Sequence, residues 1–159
     1  MFKMIGGLLI VLACTSLGVE KSKELSRHRR ELEELLQIFT FIQVRMECLK
    51  LPFDELFANM RSEWLSDLSR ELRKHQRNTF EEIWISSIDL HFKDSYLTKS
   101  EFEELKQIGK HISRPEAIRL YLTQLENAIQ ITREEEKEKK KLYQSMGIML
   151  GLFLVLVLI

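Results

Sequence analysis

The side chains able to do chemistry in this chain are few and scattered. Its four histidines are His28, His75, His91 and His111. None stands four residues from another, the spacing that puts two imidazoles on one helix face around a zinc ion. Its two cysteines, Cys14 and Cys48, have no metal-binding spacing either. No G-x-x-x-x-G-K-[ST] loop is present to cradle a nucleotide phosphate, and no G-x-S-x-G turn to present a nucleophilic serine. Carboxylates are plentiful, but they alternate with Lys and Arg as on solvated helix faces. Trp64 and Trp84 fall at core-type positions, where an indole packs. A catalytic centre needs a nucleophile, a base or a metal with partners in reach, and this pattern supplies none. The chain is expected to be no enzyme and to use no cofactor and no metal.

The elements carrying these residues follow from an uneven distribution of charge. The chain has 159 residues with 24 basic and 24 acidic side chains, 45% hydrophobic and 30% charged. Yet Met1–Val19 carries a single charge, Lys3, and Leu142–Ile159 carries none. A helix crosses the hydrocarbon layer with about 20 apolar residues, within a range of about 17–25. Both ends sit at the short side of that range and read as membrane spans. Gly147 and Gly151, four apart, offer a small surface for close helix packing in the second span. Lys21, Lys23, Arg27, Arg29 and Arg30 follow the first apolar run, and Arg133, Lys137, Lys139, Lys140 and Lys141 precede the second. Cytoplasmic segments collect such cations, so Glu20–Lys141 is expected to be cytosolic. Two readings of the N-terminus compete, a cleaved signal peptide and a lipoprotein signal, the latter since Val11-Leu12-Ala13 precede Cys14; the basic cluster after Val19 opposes export in both. Ser69 reads as an exposed position for a cysteine-accessibility test of the lipoprotein reading. A net charge of zero lacks the basic stripe of a nucleic-acid binder.

The middle region reads as all-α, a small bundle of about six helices. Leu32, Leu35, Leu36, Phe39, Ile42, Met46 and Leu49 make one helical stripe, continuous with the first apolar run. Pro52 suits the first turn of a short helix through Phe53, Leu56, Phe57 and Met60, with Asp54 and Glu55 at its positive end. Trp64, Leu65, Leu68 and Leu72 form the next, closed by the polar stretch Lys74–Asn78. Thr79 with Glu82 is a capping box for a helix whose core side is Phe80, Ile83, Trp84, Ile88 and Leu90. Thr98 or Ser100 caps a helix with Phe102, Leu105, Ile108 and Ile112. Gly109 stands inside that pattern, where it costs about 1 kcal/mol relative to Ala. Pro115 opens the last helix, with the stripe Ile118, Leu122, Leu125, Ile129 and Thr132. The charge run Arg133–Lys141 keeps helical register through Glu135–Lys139 and Glu136–Lys140 pairs, so one helix is expected from Pro115 into the second apolar run.

In order and spacing, these pieces resemble the stage III sporulation protein AB family of endospore-forming bacteria. The resemblance spans nearly the whole chain. MFKMIGGLLIVLACTSLGVEKSKEL at Met1–Leu25 resembles the family's opening, and RHRRELEELL at Arg27–Leu36 its first cytosolic helix. Pro52 stands where the family has a Thr-Pro-Leu step. FEEIWISSI at Phe80–Ile88 resembles its tryptophan helix, SEFEELKQIG at Ser100–Gly109 its Ser-Glu-Tyr stretch, and LYLTQLE at Leu120–Glu126 its Leu-x-Leu-Thr-x-Leu-Glu segment. The closing LYQSMGIMLGLFLVLVLI resembles its terminal span. This sequence departs from the family where Ser113 replaces a second glycine and where the segment Arg114–Arg119 is shortened.

The resemblance implies a function without chemistry. The family is similar to the F-type inner-membrane platform proteins of type II secretion and type IV pilus machines. It acts in the channel between mother cell and forespore, in the mother-cell membrane, beside a secretion-type ATPase. The implied partners are that ATPase, other membrane proteins of the channel, membrane lipid and, as an open class, further copies of the same chain. The expected docking surface is Pro52–Asn59 with Lys110–Glu116, where helix junctions cluster, and Phe53, Glu55, Arg114 and Glu116 are its named residues. A static scaffold without motor contact is the alternative.

Overall fold

The computed structural model describes residues 2–49, 56–57, 62–74 and 79–158. Side-chain surroundings are described from residue 23 onward, and only in part beyond 143. The described residues hold five α-helices and no strand: α1 Phe2–Leu49, α2 Glu63–Lys74, α3 Phe80–His91, α4 Lys99–Ile108 and α5 Pro115–Leu158. A short 3-10 helix, Gly109–His111, follows α4. The architecture is all-α, as the periodicity requires.

Local chemistry sets the helix ends. Thr79 accepts from the Glu82 backbone N–H while the Glu82 carboxylate accepts from the Thr79 N–H, at 3.4 and 3.1 Å. Two of the four orphan donors at the start of α3 are thereby satisfied. Thr98 and Glu101 repeat the device at α4, at 3.3 and 2.7 Å, so Thr98 and not Ser100 is the cap. Pro115 takes the first position of α5, where its missing N–H costs nothing. In α2, Glu63 lies in the first turn and Arg73 and Lys74 in the last, matching the helix dipole.

The chain divides into two compact units, Met1–Arg29 with Gln130–Ile159, and Arg30–Ile129. The second holds the hydrophobic core. Leu32, Leu35, Phe39 and Ile42 enter it from α1, and Ile118, Tyr121, Leu125 and Ile129 from α5. Trp84, fully buried, lies at its centre. It stacks on Phe80 at 5.8 Å, tilts against Trp64 at 5.2 Å and meets Phe39 edge-on at 6.3 Å. Both indoles are core residues, and both find an acceptor, as buried Trp N–H groups must. Trp84 Nε1–H donates to the Leu105 carbonyl at 3.0 Å, and Trp64 Nε1–H to Ser87 Oγ at 2.9 Å.

Several sequence expectations are corrected. Leu90 is 76% exposed and no part of the core, because it follows Ile88 by two residues and so turns to the opposite face. Ser69 is buried at 5% exposure and unsuited to labelling. Gly109 ends the regular helix and opens the 3-10 turn, whereas the pattern had placed it in a helix interior. The short helix expected after Pro52 lies outside the described residues, apart from Leu56 and Phe57, both buried. The polar stop reaches into residues 75–78, also outside them.

The other unit contains the two apolar ends. Among the described residues no helix is long and apolar enough to cross a membrane. Backbone helix covers residues 2–29 and 130–158, while the side chains of 2–22 and 154–158 lie outside the description. The surroundings of Gly147 and Gly151 lie outside it too. Glu136 joins the helices here: Ser26 Oγ and Arg29 Nε both donate to its carboxylate, the latter at 3.0 Å. Glu135 makes the expected pair with Lys139 at 3.1 Å. Glu136 instead takes its hydrogen bonds from α1, with Lys140 contributing only at longer range.

Candidate docking surface

Arg114 and Glu116 lie at the junction between the 3-10 helix and α5, and both are exposed. The junction is built from backbone bonds. Arg114 N–H donates to the His111 carbonyl at 2.9 Å, and the Arg114 carbonyl accepts from Ala117 and Ile118 at 3.1 and 3.3 Å. Arg114 thus closes one turn and starts the next helix, which leaves its side chain outward. Ile112 and Ile118, both buried, tie the turn to the core on either side.

The first turns of α5 meet the end of α1 through an ion pair. Arg119 Nη2 donates to Glu47 Oε1 at 2.8 Å, and Gln43 Nε2 donates to the same oxygen at 3.1 Å. The Arg119 hydrogen bond, followed by that of Gln43, holds the Glu47 carboxyl below the ordinary carboxylate range. The same bond and the charge of Glu47 raise the Arg119 guanidinium, with a lesser contribution from Glu116. Glu116 therefore belongs electrostatically to a patch of Glu47, Arg119 and itself. Lys110 extends the charge pattern, pairing with Glu81 at 3.1 Å. Leu120 and Val44 are large apolar side chains left exposed, at 64% and 51%.

Arg114 and Glu116 are expected from the sequence, whereas the neighbouring Glu47 and Arg119 are not. Their pairing spans 72 positions. The one available signal was that each flanks the buried stripe of its own helix. Phe53 and Glu55, the other expected docking residues, lie outside the described residues. Nearby, Arg45 Nη1 donates to the Leu56 carbonyl at 2.9 Å, fixing that part of the connection to α1.

Nothing in this patch forms a nucleophile–base pair; it presents charge and a little apolar surface. Among the described residues no group of three His, Cys, Asp or Glu side chains is placed to hold a metal ion.

Comparison with known proteins supplies the wider setting. The family "Stage III sporulation protein AB" matches residues 3–159. The chain is 27% identical over 171 aligned positions to the "Stage III sporulation protein AB" of Bacillus subtilis (strain 168), with 99% of each chain covered. No solved structure matches it. Since the match runs through both apolar ends and every helix between them, the chain belongs to the stage III sporulation protein AB family.

Proposed function

We propose that this member of a sporulation family is a non-enzymatic membrane platform of the mother cell–forespore channel, docking a secretion-type ATPase. Its domains are the spans Met1–Val19 and Leu142–Ile159 and a cytosolic bundle, Glu20–Lys141, in the mother-cell membrane. The observation that carries this reading is the continuity of two helices. α1 and α5 supply core side chains to the bundle and run as unbroken helix to the apolar ends, Phe2–Leu49 and Pro115–Leu158. Ser26, Arg29 and Glu136 join them in the polar stretch beyond those ends. A helix pair joined in this way transmits tilt or torque between a cytosolic motor and the bilayer; a flexible tether does not.

Reversing charge with Arg114→Glu and Glu116→Lys together tests the docking surface. Both positions are exposed, so the fold is kept while co-purification with the ATPase is lost. Undiminished co-purification from sporulating cells removes this surface. Topology is tested at Ser66, an exposed residue of α2, by Ser66→Cys in a Cys48→Ser background. Protection from an impermeant thiol reagent in intact protoplasts agrees with a cytosolic bundle. Labelling from outside agrees with the lipoprotein reading at Cys14. A static scaffold differs in tolerating short Gly-Ser insertions after Val19 or Lys141, which a transmitting pair does not.

A further inference from the structure

A second surface of the bundle has a different chemistry from the junction of Arg114 and Glu116. A pocket of about 290 Å³ lies between α1, the start of α2 and the turn after α3. Its floor is apolar: Leu35 and Ile38 of α1, Trp64 of α2, and Phe92. Trp64 and Phe92 meet edge-to-face at 5.1 Å and 87°. Its rim is acidic, with Glu31 and Glu34 from α1 and Asp94 from the turn.

The walls are held in place. Ser95 N–H donates to the Phe92 carbonyl at 3.2 Å, closing the turn that carries Asp94. Tyr96 N–H donates to Glu31 Oε2 at 2.8 Å, fastening that turn to α1. No lysine or arginine is among the described residues lining the pocket; His91 alone brings a basic nitrogen, and its Nε2 is turned to Asp67 at 3.4 Å. The fit to an occupant is therefore one of charge as well as shape.

We infer that this pocket receives an arginine side chain presented by a partner protein. Its volume lies at the bottom of the range of about 300–1,000 Å³ that houses a drug-sized ligand, which suits one long side chain. A guanidinium is weakly hydrated, stacks on aromatic faces and pairs with carboxylates through a planar fork. Phe92, half-buried, offers aromatic surface beside the exposed carboxylates of Glu34 and Asp94, so one group can make both kinds of contact, while Trp64, 4% exposed, backs Phe92. A metal ion needs converging ligands, and among the described residues these carboxylates do not converge. The inference does not depend on the ATPase reading, since it concerns other residues and holds for any arginine-bearing partner.

The test uses the full chain in detergent micelles and two probe peptides, acetyl-Ala-Arg-Ala-amide and its uncharged citrulline counterpart. The readout is the Trp64 indole N–H resonance, assigned by its disappearance in Trp64→Phe. The arginine peptide shifts this resonance saturably at millimolar concentration, and the citrulline peptide does not. Glu34→Gln with Asp94→Asn, both exposed positions, weakens the arginine peptide about tenfold, as two exposed charge pairs of ordinary strength require. Equal response to both peptides, no saturable response, or unchanged affinity in the double variant overturns the inference. Loss of self-association in that variant also overturns it, by making a second copy of the chain the occupant.

Discussion

Gly109 lies against the indole of Trp84 so closely that a Cβ there would stand 2.6 Å from both Cγ and Nε1 of the ring. The ring cannot retreat. It is fully buried among Phe39, Phe57, Phe80 and Trp64, and its N–H is committed to the Leu105 carbonyl. That carbonyl belongs to the last turn of α4. One indole therefore fills the core and bonds to a helix end, and Gly109 leaves the space for it.

Gly109→Ala should accordingly destabilise the bundle. Helix propensity alone favours Ala by about 1 kcal/mol, whereas overpacking a filled site costs about 1–3 kcal/mol and sometimes more. The contact is severe enough for the second effect to win. Denaturant unfolding of the detergent-solubilised chain measures the sign. A stabilised variant would show that the ring moves freely.

Trp64→Phe removes the donor to Ser87 Oγ and should cost about 1 kcal/mol beyond any loss of packing, the usual net value of such a bond. Ser87→Ala should cost a similar amount. If the bond is the shared term, the double variant loses less than the sum of the two, by about 1 kcal/mol. Full additivity in the unfolding data would deny the coupling.

The two capping boxes are separate helix starts with separate partners. Thr79→Ala and Thr98→Ala should each lower stability by about 1 kcal/mol, and their effects should add. Ser100→Ala should leave the start of α4 unchanged, because Thr98 holds the Glu101 N–H. Thermal unfolding monitored by helical circular dichroism distinguishes these outcomes.

The joint at Glu136 should loosen in acid. The hydrogen bond from Ser26, with help from Arg29, lowers the Glu136 pKa against the opposing effect of burial. A lowered carboxylate contributes stability above its ordinary pKa of about 4.3 and loses it as pH falls through the lowered value. Amide exchange in residues 23–30 and 130–140, taken relative to the intrinsic rate at each pH, should therefore quicken in that acid window in the native chain. In Glu136→Gln it should be fast already at neutral pH, and a flat profile in the native chain would discard the joint.

The features legible beforehand are those written within one or two helical turns. Thr79 and Glu82 are three residues apart, a spacing that places each side chain on the other's backbone in any helix. Pro115 announces a helix start because its ring fixes φ and removes a donor that the first turn does not use. The stripes Leu32–Ile42 and Ile118–Ile129 follow from 3.6 residues per turn, and all-α architecture follows from stripes with few breakers between them. Membership of the sporulation family was likewise visible in the order of short segments.

What stayed hidden depends on which helix faces meet. Gly109 reads as a weak point in a helix until Trp84, 25 positions earlier, is found against it. Glu47 and Arg119 each look like ordinary solvated charges, and Glu136 looks paired with Lys140 until Ser26 and Arg29 claim it. The pocket over Trp64 draws its walls from α1, α2 and the turn after α3, none of which carries a local sign of the others. Periodicity tells each helix which face to bury but not against which partner. That choice is made by the fit of side chains far apart in the chain, and those fits also decide where charge and space are left at the surface.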